Sequence, residues 1–450
     1  MSGTWNFVIR NERMISTTIK SSGFDQANYD RNLDQISEPD WARDLRERSW
    51  EAFQSLSWPS QKDEEWMRTD VRGLRLDQFQ IQSPSAETEL PTALLADGVE
   101  LAGRTASLDG QSCLVELDVG LQKKGVLFGS LPEMLNQHGD RLKPYLMNRN
   151  FDSGYDRFAA LHGAFWNSGT VLFVPRGVNI ERPLHVLTGM TDGGVDLSHL
   201  LVVLEDGAEA TLLTEMASPS EKAGGFHCGA AGMMVGNGSH LRVVTLQNWG
   251  KGVWNFGHQK AIVGKDASIQ WTVGALGSRL SKLNQHVELV GEGADSRVNG
   301  VMFTEDKQHQ SLHTLQHHRA PNCHSDFLYK AALQDRSRTV WRGMIKVDKG
   351  AHKTDGYQRN DNLLLSTAAR ADSIPGLEIE ADDVRCTHGS TSGRVDEELI
   401  FYACARGFTR TEAIQMIVTG FFQQVFDRVT IESVREALAL AIARRIRDYE

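Results

Sequence analysis

Cys386 and His388 stand two residues apart in the segment Leu377-Glu-Ile-Glu-Ala-Asp-Asp-Val-Arg-Cys-Thr-His-Gly-Ser390. In a strand, residues i and i+2 share one face. A thiolate and an imidazole side by side make half of a site for a soft metal or a cluster, and the remaining ligands must come from elsewhere, a second chain included. The competing reading is a buried free thiol beside a hydrogen-bonded histidine. A second group crowds His309, His313, His317, His318 and His324 around Cys323. These side chains suit zinc or iron, yet their spacing matches no common zinc module, and a polar loop with surface histidines is the readier account. No phosphate-binding G-x-x-x-x-G-K-[ST], no nucleophile elbow and no H-E-x-x-H occurs, so nothing points to an independent enzyme.

The elements that carry these residues read as strands. From about 96 to 393, short apolar runs such as Leu200-Leu-Val-Val-Leu204 and Leu241-Arg-Val-Val-Thr-Leu246 alternate with tight turns. The turns resemble one another: Glu205-Asp-Gly-Ala208, Gly236-Asn-Gly-Ser239, Gly264-Lys-Asp-Ala267 and Gly291-Glu-Gly-Ala294. Counted on their last residues they step by 31, 28 and 27. That period points to a solenoid, a parallel β-helix whose coils share one core. A β-sandwich also accommodates short strands and turns. After Ala294 no matching turn is visible, and the histidine-rich segment comes instead.

Helical patterns flank this region. Residues 1–36 show no sustained period and read as a loosely ordered leader. A helical region spans 37–95, with Ser37 as cap, Pro39 and Asp40 in the first turn, and Trp66 as a docking residue. Beyond 394, a helix over 395–406 contains Leu399, Ile400, Tyr402 and Ala403 and ends at Gly407. A capping box at Thr409-Arg-Thr-Glu412 opens a second helix, and Glu432–Glu450 forms a third, with Arg444, Arg445 and Arg447 in its last turns.

Composition sets the surroundings. The 450 residues include 48 Lys+Arg and 58 Asp+Glu, a net charge of −10, which argues against a nucleic-acid binder. No apolar run approaches a membrane span, and the first twenty residues lack the apolar stretch of a secretory signal. Five cysteines without a CxxC, Cys113, Cys228, Cys323, Cys386 and Cys404, fit reduced thiols in the cytoplasm better than a disulfide framework.

Several stretches then resemble the SufB/SufD family of iron–sulfur cluster assembly proteins. They are Tyr329-Lys330 through Gln358, Asn362-Leu-Leu-Leu-Ser366, Leu377 to Val384, Cys386-Thr-His-Gly389, Asp396-Glu, Phe401-Tyr402 and Arg406-Gly407. Upstream, Val174-Pro-Arg-Gly-Val178, Arg182-Pro183, Glu64-Glu-Trp66 and Arg68-Thr69 extend the resemblance over roughly residues 40 to 430. The C-x-H-G form, and the absence of Cys between Ser366 and Pro375, resemble the SufD branch. The resemblance implies a mainly β fold, a right-handed parallel β-helix between N-terminal and C-terminal helical regions. It implies SufB as partner through the β-helix, the ATPase SufC bound by the C-terminal helical region, and self-association of the isolated chain. It also implies a transient Fe–S cluster shared with SufB, with His388 as the ligand on this side and Cys386 as an auxiliary, and a reduced flavin in the assembled complex that no motif here identifies. The alternatives are a β-helix carbohydrate-active enzyme, for which the β-region shows no obvious acidic pair, and a structural SufC-binding protein without cluster ligation.

Overall fold

The computed structural model describes residues 22–81 and 89–446. A 3-10 turn at Ser22–Phe24 precedes α1 (Gln26–Gln35) and α2 (Asp40–Ser55). Residues 22–36 fall in the expected leader but are docked. Asp25 caps α1 through the Asn28 amide, Phe24 and Tyr29 are buried, and Tyr29 stacks on Trp50 at 4.6 Å. The rest of that leader, 1–21, lies outside the described residues. The N-cap of α2 is Pro39 rather than Ser37, with Asp40 in the first turn as expected. Trp66 is buried and stacks on Phe158 at 5.5 Å.

A hairpin, β1 (Gly103–Leu108) and β2 (Gln111–Leu117), opens the β-region. Then come α3 (Val119–Lys123), β3 (Leu127–Ser130), α4 (Leu131–Leu142) and α5 (Arg157–Phe165). The coils begin with β4 (Ser168–Val174), β5 (Leu184–Gly189), the short β6 (Gly194–Asp196), β7 (Ser198–Leu204) and β8 (Glu209–Ala217). They continue through β9 (Gly224–Val235), β10 (His240–Asn248), β11 (Gly252–Val263), β12 (Ser268–Ala275), β13 (Leu280–Leu289) and β14 (Asp295–Thr304). The last are β15 (His309–His318), β16 (His324–Leu333), β17 (Arg338–Val347), β18 (Thr354–Leu364), β19 (Arg370–Ile379) and β20 (Val384–Arg394). Each coil gives one strand to each of two sheets, parallel throughout except for the antiparallel β1–β2 and β3–β4 pairs at their first edges. One runs β2-β1-β5-β8-β10-β12-β14-β16-β18-β20, the other β19-β17-β15-β13-β11-β9-β7-β4-β3. The fold is a parallel β-solenoid of about 8 turns, with helices at both ends of the chain.

Parallel register explains the repeat. Glu209, His240, Ser268, Asp295, His324, Asp355 and Arg385 are successive partners across one sheet. Two residues before each of the first six lies a turn residue with a left-handed backbone: Gly207, Gly238, Asp266, Gly293, Asn322 and Lys353. The residue after it is small or short and buried: Ala208, Ser239, Ala267, Ala294, Cys323 and Thr354. The turn missed after Ala294 is therefore present as Pro321-Asn322-Cys323. Asn tolerates the left-handed conformation and Cys fills the alanine slot. Turns pack so closely that a Cβ on Gly291 would meet the Lys265 amide nitrogen at 2.0 Å.

Both outer faces are clothed. On one sheet, Leu213, Val244, Leu246, Val301, Phe303 and Leu328 pack under two C-terminal helices. These follow α6 (Glu397–Cys404) and are α7 (Arg410–Phe426) and α8 (Glu432–Ala443). Gly407 is left-handed and Thr409 with Glu412 forms the expected capping box. Arg444 and Arg445 follow α8, and Arg447 lies outside the described residues. On the other sheet, Phe24, Trp50, Trp66, Phe158, Phe226 and Phe256 form an aromatic layer with α2 and α5. Among the described residues, no helix is long and apolar enough to cross a membrane.

The turn column makes a first prediction. Ala294→Leu overpacks a slot with no room and should cost about 1–3 kcal/mol, whereas Cys323→Ala restores the residue that other coils use and should cost about 1 kcal/mol or less. Thermal melts of the two variants give the comparison; equal losses would contradict the column.

Candidate functional site

The last coil holds the predicted pair. β18 and β20 run parallel, with Gly356 opposite Cys386 and Gln358 opposite His388. Following His388 back through the register gives Gln358, Phe327, Val298, Trp271, Val243, Leu212 and Leu184. All but His388 are buried, and the apolar ones belong to the main solenoid core. His388 thus occupies a core-facing position on a coil that has no further coil above it, and it is exposed for that reason. The same-face expectation for Cys386 and His388 holds.

The two side chains nonetheless differ. Cys386 is half-buried against Ile345, Val347, Ala351, Ala381 and Val384. Desolvation pushes its thiol pKa up, and the Asp355 carboxylate adds to the rise, while a hydrogen bond with the Gly356 backbone opposes it. A thiol held protonated is a poor metal ligand and nucleophile. His388 is exposed.

The rim around them is apolar on one side. Leu377 and Ile379 of β19 lie on the register positions above the buried Ile345 and Val347, and are 39% and 40% exposed. β19 and β20 each end their sheet, so each leaves one row of backbone donors and acceptors unpaired by a strand. Below His388, Gln358 is wholly buried and its Nε2 donates to the Gly376 and Gly343 carbonyls at 3.1 and 3.4 Å. Sequence reasoning passed over Gln358, Leu377 and Ile379. A glutamine interrupting an apolar inner column was the available signal for the first, and only the end of the solenoid marks the other two.

Among the described residues, no three His, Cys, Asp or Glu side chains are grouped to hold a metal ion. The histidine-rich segment is dispersed by strand alternation. His309, His313 and His317 share the outer face of β15, and His318 points the other way, bonded to Ser325 at 2.8 Å. His324 lies on β16 in the opposite sheet, paired with Asp295 at 2.8 Å. Cys323 belongs to the turn column. The other cysteines divide as expected into core and surface thiols: Cys228 is buried, Cys113 and Cys404 are exposed.

His313 instead joins a covered cationic layer. Lys282 is buried beneath the Trp66 ring at 5.3 Å, with Asn284 its hydrogen-bond partner at 3.3 Å. Burial lowers its pKa to about 7, against the pull of Glu65 and Asp156, and burial with nearby Lys282 and Arg342 lowers that of His313 to about 2. The segment above is pinned by Thr69 to Ser311 at 2.9 Å and by Glu64 to Arg342 at 2.8 Å.

The C-terminal helices expose one apolar face. Ile400 is buried, but Leu399, Phe401 and Tyr402 are 53%, 75% and 58% exposed. Phe408 and Met416 are exposed large apolar residues of the same helical region.

Comparison with known proteins places this architecture. Residues 186–421 match the family described as SUF system FeS cluster assembly, SufBD core domain, and residues 105–186 match the SufBD protein N-terminal region. An iron–sulfur cluster assembly SufBD family protein of Mycobacterium tuberculosis is 32% identical over 300 residues, 65% of this chain and 74% of that protein. Members from Staphylococcus haemolyticus and Staphylococcus saprophyticus are 25% and 24% identical over 423 and 395 residues, covering 90% and 88% of this chain and 90% and 83% of theirs. The chain belongs to the SufBD family of iron–sulfur cluster assembly proteins.

Acid should act on the covered layer. A base whose folded pKa is depressed is neutral in the fold and charged when released. Its contribution is whole above the unfolded pKa and is lost as pH falls towards the folded value. For His313 that window runs from 6.5 down to about 2. Urea unfolding should therefore show stability falling by about 1–3 kcal/mol between pH 6.5 and 4, and His313→Leu should flatten the slope. An unchanged slope in the variant would remove His313 from the cause.

Proposed function

We propose that this chain is a SufD-type subunit of an iron–sulfur cluster assembly scaffold, pairing with SufB through the open end of its solenoid and offering His388 to the nascent cluster. The observation that carries this reading is His388 itself, a core-facing residue exposed because its column ends there. A partner strand added to β20 or β19 would satisfy the unpaired edge and cover Leu377 and Ile379. The cluster is cargo, so a ligand set divided between two chains suits it. A closed site of four thiolates is built for retention. A neutral imidazole at a seam can be withdrawn when the chains shift. Cys386 fits a supporting role better than a ligand role, because its thiol is half-buried and kept protonated.

SufC fits the C-terminal helices. Their exposed Leu399, Phe401, Tyr402, Phe408 and Met416 form the kind of large apolar surface that marks a protein interface. An ATPase held there also accounts for the missing phosphate-binding loop in this chain. The SufD assignment rests on the C-x-H-G form of Cys386 to Gly389.

The test is anaerobic cluster reconstitution on the chain co-expressed with SufB and SufC partners, read by visible absorption and iron content. His388→Ala should leave the complex assembled and lower the bound cluster at least several-fold, while Cys386→Ser should retain most of it. Ligation needs the unprotonated ring, so retention by the wild type should also fall on acidification. Full retention by His388→Ala would leave the alternative, a shape partner that binds SufC and ligates nothing.

A further inference from the structure

On the solenoid surface, side chains at matching register positions pair by opposite charge. Arg385 faces Asp355 at 2.7 Å, Lys346 faces Glu378 at 2.6 Å, and His324 faces Asp295 at 2.8 Å. Where Arg338 and Arg370 fall opposite one another, Asp372 bonds to both, at 2.7 and 2.9 Å. Opposed like charges are otherwise destabilising.

One corner breaks this pattern. The turns between β14 and β15 and between β16 and β17 are Glu305-Asp306-Lys307-Gln308 and Gln334-Asp335-Arg336-Ser337. They have equal length, and their flanking strands are in register from Thr304 opposite Leu333 to His309 opposite Arg338. Asp306 and Asp335 are both left-handed, and the Asp306 amide donates to the Asp335 carboxylate at 2.8 Å. Lys307 and Arg336 therefore hold equivalent positions on successive turns. Both are exposed, and neither has a carboxylate partner among the described residues. Arg279, at the head of β13 one coil earlier, has no ion pair among the described residues either. Its guanidinium sits over the Trp254 ring at 5.1 Å. The neighbouring Lys251 is neutralised by Glu305 and Asp306, each at 2.9 Å. These four cations, with Asp306, Asp335, Ser366 and Thr367, line a cleft of about 910 Å³. The chain as a whole is acidic, at −10, whereas this lining carries four cations against two carboxylates.

We propose that this corner cleft binds the phosphate group of a small molecule. Three cations without an ion pair among the described residues, from three successive coils, supply charge, and with Lys251 they outnumber the Asp306 and Asp335 carboxylates that share the lining. Guanidinium groups favour bidentate recognition of phosphate oxygens, and the Ser366 and Thr367 hydroxyls supply further polar contacts. The volume suits a small ligand rather than a single ion. A bound phosphate would act as the counter-ion that Arg279, Lys307 and Arg336 lack. The site stands apart from the solenoid mouth and owes nothing to the reading of His388.

Calorimetric titration of the full chain with inorganic pyrophosphate at physiological salt tests the proposal. Saturable 1:1 binding is expected. Arg336→Gln and Arg279→Gln should each weaken it about tenfold or more, while Lys349→Gln, an exposed cation on another turn, should leave it unchanged. Lys307→Glu should abolish binding, since it turns one of the three cations into an anion. Absence of saturation, equal weakening by Lys349→Gln, or binding retained by Lys307→Glu would overturn the site.

Discussion

Parallel, in-register stacking of coils governs this molecule. A single coil cannot bury its inner face, and the hydrogen bonds that join it to its neighbours hold each residue level with its counterpart one coil away. Whatever one coil places inward is therefore continued by the next. Large apolar residues form the column from Leu184 to Phe327, and small ones form the turn column from Ala208 to Thr354. The constraint also defines where it stops. At β19 and β20 no further coil arrives, and positions that would be core become surface. Cys386 and His388 are such positions. The site follows from the ending of a repeat.

Segments outside the repeat are held by buried polar anchors as well as by apolar packing. The Glu215 carboxylate accepts the Leu94 and Leu95 amides at 2.8 and 3.0 Å, drawing residues 94–95 onto the sheet. Arg46, wholly buried, pairs with Glu38 at 2.8 Å, lies over the Trp166 ring at 3.8 Å and reaches the Trp166 carbonyl. Lys330 donates to the Phe421 carbonyl at 2.9 Å and so ties α7 to β16. Removing one side of such a contact leaves a buried charge or donor unsatisfied, which costs more than the contact gains. These anchors fix orientation, and the aromatic layer under α2 and α5 supplies the area.

Two exposed surfaces stand apart on the molecule. The solenoid mouth presents an exposed imidazole, two strand edges unpaired by a strand and a small apolar rim. The outer helices present an apolar face of their own, on α6 and α7. The proposed scaffold role assigns one surface to the partner chain and the other to the ATPase. α7 packs directly on β14 and β16, so both surfaces are carried by the same sheet.

Much of this was legible in the sequence. The steps of 31, 28 and 27 residues reflect the register itself, because each coil must close at nearly constant length. The C-x-H spacing placed Cys386 and His388 on one face, because alternation along a strand is local. Capping at Thr409 and the stop at Gly407 were readable for the same reason. What the sequence could not decide was non-local. The crowd of histidines between His309 and His324 read as a polar loop or as one metal site, yet strand alternation and the turn at Asn322 divide it between two sheets and two faces. The leader looked loose, but Phe24 and Tyr29 find an aromatic layer built from residues far away in the chain. Leu399, Phe401 and Tyr402 gave no sign of which way they face, and they stand in solvent. Cys386 and His388 share a face two residues apart, and only the packing of Ile345 and Val347 against one of them half-buries that thiol while the imidazole stays exposed. Spacing along a strand determines which way a side chain faces; whether it meets a neighbour or water depends on which other coils and helices arrive there.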